Sequence, residues 1–88
     1  MSKFRIVNSF AIKPKGIFVF AGEVLEGTVA PGMVFEVPEA GHRWRFVVRS
    51  VEMINTEGGN IVGLVIDDRT PGHLPGLGVG WTTELRSV

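Results

Sequence analysis

The chain contains no cysteine. Disulfides, thiolate metal sites and a cysteine nucleophile are therefore excluded, and a cytoplasmic home is the default expectation. It has no excess of either charge: Lys+Arg and Asp+Glu both number nine, for a net charge of zero. A dedicated nucleic-acid binder usually carries a basic excess, so neutrality argues against that role while leaving room for a local basic patch. No apolar run approaches the length of a membrane span, and Met1-Ser2-Lys3-Phe4-Arg5 leads into no apolar signal core. The phosphate-cradling pattern G-x-x-x-x-G-K-[ST] is missing too, so no nucleotide-binding loop is expected.

What is present suits one small domain, residues 1–88. Hydrophobic residues make up 44% of the 88 and charged residues only 20%, with mean hydropathy +0.25. A chain this short buries only about 60–65% of its unfolded surface, so its core must be efficient.

The apolar period is two almost throughout, which predicts strands. Phe4, Ile6, Phe10 and Ile12 alternate with Lys3, Arg5, Ser9 and Lys13. Pro14-Lys15-Gly16 ends that strand. Ile17–Glu26 is next, with apolar residues nearly continuous at its start. Pro31-Gly32 fits the centre of a type II turn. Met33–Val37 is a short strand, and Pro38-Glu39-Ala40-Gly41 a hairpin turn.

His42–Ile54 is predicted as one long strand. Trp44, Phe46 and Val48 lie on one face, and Arg43, Arg45, Val47 and Arg49 on the other. The apolar parity then moves to Val51 and Met53, which suggests a bulge near Ser50. Residues 55–60 are predicted as a loop, Ile61–Ile66 as a strand and Asp67–Gly78 as a long loop. Val79, Trp81 and Leu85 alternate with Thr82, Glu84 and Arg86 in a last strand. No window shows capped helical spacing. Six or seven short strands predict an all-β fold: a single small antiparallel β-barrel.

Three ordered segments resemble the second domain of elongation factor Tu and related translational GTPases. Phe10-Ala11-Ile12 followed by Gly16 to Gly27 matches F-x-I, a Gly turn, hydrophobics, then G-x-V-x-x-G. Thr28 to Val37 matches the hairpin that follows. Val48-Arg49-Ser50-Val51-Glu52-Met53 and then Gly58 to Leu64 match V-x-x-V-E-M, a loop and G-x-x-V-G-L. The resemblance implies a β-barrel. It also implies, as a second functional possibility, an RNA- or ribosome-associated module. The elongator binds the aminoacyl end of tRNA beside the aromatic matching Phe10. Val7-Asn8-Ser9, Ala21, Glu23 and Glu26 replace that family's pocket residues here.

No catalytic site, cofactor site or metal site is expected. Gly76-Leu77-Gly78-Val79-Gly80 lacks the helix that would hold a pyrophosphate and reads as a turn. His42, His73, Asp67 and Asp68 lack the spacing of a metal motif. Ser9 and Ser50 sit in no nucleophile elbow. Glu23 and Glu26 are three apart on a strand, which predicts opposite faces.

Two features could bind. Arg43, Arg45 and Arg49 form a stripe with roughly 7 Å between alternate residues, a spacing suited to phosphates of a nucleic acid; the alternative is a solvated outer face with arginine stems lying over apolar surface. Phe18, Phe20 and Val24 pointing inward would leave Ile17, Val19 and Ala21 pointing outward. A barrel's outer face should be polar, so this apolar face is either a protein interface or covered by the N-terminal strand or the 67–78 loop. The expectation is thus a non-catalytic, protein-binding or self-associating module, with a homodimer the simplest partner.

Overall fold

A computed structural model describes residues 2–12, 15–39, 41–56, 59–67 and 78–87. The regular elements among these residues are seven strands: β1 Ser2–Ile12, β2 Ile17–Glu26, β3 Val34–Glu39, β4 His42–Val47, β5 Ser50–Thr56, β6 Gly59–Asp67 and β7 Thr82–Leu85. No α-helix occurs among the described residues. Five strands form one sheet in the order β5-β6-β2-β1-β7, and β3 and β4 form a second. Every pairing is antiparallel. The Cα radius of gyration, 12.0 Å, matches the roughly 12 Å expected of a compact chain of this length.

The alternation that builds β1 is broken where the sequence gives no warning. Ile6 stands opposite Gly22, but Asn8 stands opposite Ala21, so Val7 is an extra residue in the ladder. The bulge reverses the parity beyond it. Phe4 and Ile6 are buried as expected, but Ser9 is buried too, while Phe10 is only half-buried. A second shift, between Lys3 and Phe4, makes Leu25 the extra residue on β2.

Gly22 lies where β1 and β2 run closest. A Cβ there would sit 1.9 Å from the Arg5 carbonyl oxygen, so only glycine permits this approach. The Pro31-Gly32 turn forms as expected: Met33 N–H donates to the Ala30 carbonyl at 3.3 Å, and Gly32 takes φ 91°, the positive value a type II turn needs.

The predicted strand His42–Ile54 is divided between the two sheets. β4 ends at Val47 and β5 begins at Ser50. The chain bends at Val48 and Arg49, slightly before the predicted bulge. Val48 still bonds to the second sheet, donating to Met33 and accepting from Gly32, while Arg49 N–H donates to Val65 on β6. One bend thus feeds both sheets.

Three turns also differ from expectation. β3 continues through Pro38 and Glu39, and Glu39 pairs with His42, so the hairpin connection is only residues 40–41. In the segment predicted as a loop, Asn55 pairs with Asn60 and Thr56 with Gly59; residues 57–58 lie outside the described residues. The last strand begins at Thr82. Residues 78–80 form a turn, closed by Trp81 N–H to the Gly78 carbonyl at 2.9 Å. Residues 68–77 of the predicted long loop lie outside the described residues.

The core lies between the sheets. Phe4, Ile6, Phe18, Phe20, Leu64, Ile66 and Leu85 come from the larger sheet. Phe35, Val37 and Phe46 come from the smaller one, with Val48 at the bend. Phe20 is the hub, with ring centroids 5.1 Å from Phe18, 5.4 Å from Phe35 and 5.2 Å from Phe46. Such tilted and edge-to-face pairs add to simple burial. The sheets are also tied at an edge. Val34 and Arg86 exchange main-chain bonds of 2.8 and 3.1 Å, and the Thr83 hydroxyl donates to the Glu36 carbonyl at 2.8 Å.

Candidate functional site

The structure separates the three arginines. Arg43 and Arg45 lie two apart on β4 and are exposed, as expected. Arg49 lies beyond the bend, where its guanidinium donates to Asp67 on β6 at 2.7 Å. The three do not form one stripe, because the strand that would carry them changes sheets between the second and third. Arg43 faces Glu36 at 4.0 Å, and Arg45 stands opposite Glu36 in register. This is a mixed surface rather than a basic one.

The expected interface on β2 is corrected as well. Phe18 and Phe20 do point inward and are fully buried, and Val24 packs against the same core. Val19 and Ala21, on the opposite face, are only 4% and 1% exposed, and Ile17 is half-buried. The reason is position. β2 is the middle strand of five, and its small side chains sit below larger neighbours. Val19 lies between Phe10 and Val65 in the ladder. A Cβ on Gly63 would meet both Val19 Cγ1 and Ile54 Cδ1 at 3.2 Å. Val19 and Ala21, so enclosed, present almost no surface to a partner, while Ile17 keeps part of its surface.

Of the chemical candidates, Glu23, Glu26 and Asp67 are held in ion pairs. Glu23 and Glu26 share a face, contrary to expectation, because the extra residue Leu25 reverses the parity between them. Each then meets a cation of β1: Arg5 at 2.7 Å and Lys3 at 3.7 Å. His42 lies on β4 beside Trp44, ring centroids 6.3 Å apart. His73, Asp68, Gly76 and Leu77 lie outside the described residues. No three His, Asp or Glu side chains gather into a metal-binding group among the described residues. No helix there is long and apolar enough to cross a membrane.

The sequence reading missed a cleft of about 260 Å³ between β3 and β7. The two are joined by the isolated bridge between Val34 and Arg86 and by the Thr83 hydroxyl on the Glu36 carbonyl. Glu36 and Arg43 stand on one side, Thr82, Glu84 and Arg86 on the other, and Trp81 lines it too. Trp81 is 40% exposed, one of six large hydrophobic side chains exposed among the described residues. Its carbonyl accepts from Ile6 N–H at 2.9 Å, and Gly80 N–H donates to the Ile6 carbonyl at 2.7 Å. These two hydrogen bonds join the 80–81 segment to Ile6, and the residues next to it on each chain segment, Val79 and Val7, are both exposed. The signal was the Gly78-Val79-Gly80 segment, which marks a turn and takes Trp81 out of the strand. No family model, curated protein or solved structure matches this chain.

Proposed function

We propose that the chain is a non-catalytic binding module that engages a protein through the surface around Trp81. The observation that carries this reading is the exposure of Val7, Val79 and Trp81 on the two segments joined at Ile6. Exposed apolar residues gathered beside a polar rim are typical of interaction surfaces, and an exposed indole is a common binding anchor. The scaffold under this reading is a small antiparallel β-barrel of the kind found in the second domain of elongation factor Tu. Its support is the circuit of strands: β3 to β4, around the bend at 48–49 into β5, across β6, β2 and β1 to β7, and back to β3 through Val34 and Arg86. The non-catalytic part rests on two of the polar candidates, with Ser9 buried and Asp67 bonded to Arg49.

An RNA-associated module is the second reading. Arg43 and Arg45, exposed side by side on β4, favour it. An affinity pull-down with and without nuclease separates the two. The protein-binding reading expects partners that survive nuclease and are lost with Trp81→Ala. Partners lost to nuclease, and to Arg43→Ala combined with Arg45→Ala, would replace it with the RNA reading, as would steep weakening with salt.

A further inference from the structure

The charges around the β3–β7 cleft are balanced. Glu36 and Arg43 stand on the β3–β4 side, Glu84 and Arg86 on the β7 side. A rim of a single sign would repel a copy of itself, but a rim with equal numbers of both signs can meet its own image. Under a two-fold rotation, each arginine can face a carboxylate of the other protomer.

The arginines are available for this. Arg86 is fixed at its backbone by two bonds to Val34, and its side chain makes no ion pair among the described residues. Arg43 reaches Glu36 only at 4.0 Å, with 70% of its side chain exposed. Trp81 lines the same cleft, so the indole and the balanced charges belong to one surface.

Area also points to the two acting together. A stable interface needs about 800 Å² from each partner, and one buried aromatic supplies only about 150–250 Å². The exposed apolar residues fall short alone, and the charged rim extends them.

Resting on the protein-binding reading above, we propose that its occupant is a second copy of this chain: a two-fold homodimer with Trp81 at its centre and the glutamates and arginines of the cleft pairing across it.

Light scattering over a concentration series tests this. The wild type forms a dimer. Trp81→Ala weakens it by about thirtyfold, as loss of a buried aromatic anchor does, with the circular dichroism of the fold retained. Glu84→Arg and Arg86→Glu each stay monomeric alone, while an equimolar mixture of the two forms a one-to-one dimer. A wild type that remains monomeric at high concentration overturns the homodimer and leaves the protein-binding reading to the pull-down. A dimer indifferent to Trp81→Ala and to both charge reversals also overturns the proposal, because the interface would lie elsewhere.

Discussion

Phe20 touches three other rings and has no exposed surface, so its removal leaves a cavity that two sheets must share. Phe20→Ala should cost about 3–5 kcal/mol, read as a fall in the urea midpoint at unchanged slope. Gly22 is as demanding for a different reason. An added methyl would strike the Arg5 carbonyl rather than a flexible side chain. Gly22→Ala should therefore cost about 3 kcal/mol or more and expose the β1–β2 amides to hydrogen exchange. Val19→Glu belongs here too. With Val19 at 4% exposure, the carboxylate would enter an enclosed site, and the variant should lose its fold in thermal melts rather than merely dissociate. The Arg49–Asp67 bond, with both side chains partly exposed, is a weaker tie. Arg49→Gln should cost less than about 1 kcal/mol in the same denaturation assay.

At the scale of elements, the tie between β3 and β7 decides whether the cleft keeps its shape. Thr83 is buried and its hydroxyl spans the gap to Glu36. Thr83→Val keeps the shape but leaves that carbonyl unpaired, and should cost about 1 kcal/mol while speeding amide exchange at Arg86. Strand identity was legible in the sequence because period-two alternation is local: the bounds of β2, the shared face of Phe18 and Phe20, and that of Phe46 and Val48 followed from it. The bulges at Val7 and Leu25 were not legible. They arise from fitting two strands around one core, and each reversed a facing that alternation alone had assigned. The division of His42–Ile54 was missed for the same reason, since it follows from Val48 bonding to one sheet and Arg49 to the other. The candidate site suffered most. Arg43 and Arg45 were placed correctly, but Arg49 was carried away by the bend. Trp81 was assigned to a strand that begins one residue later.

For the whole molecule, the position of Trp81 relative to the core carries the functional account. The sheets enclose Phe4, Phe18, Phe20, Phe35 and Phe46, yet leave this indole beside a charged cleft. Five rings are thus committed to stability, Phe10 and Trp44 are half-buried, and Trp81 is the aromatic side chain left exposed among the described residues. The neighbouring arginines of β4 have a structural role open to them as well, because β4 pairs only with β3 among the described residues and charged side chains on an edge strand discourage indiscriminate pairing. Arg43→Ala with Arg45→Ala should accordingly leave the melting temperature nearly unchanged and increase aggregation on prolonged storage.

Trp44→Phe leaves Trp81 as the single indole, and acrylamide quenching of that protein reports directly on whether the proposed surface is open or covered. The account predicts strong quenching at high dilution that falls as the protein is concentrated. An indole shielded equally at every concentration, or quenched equally at every one, would contradict it.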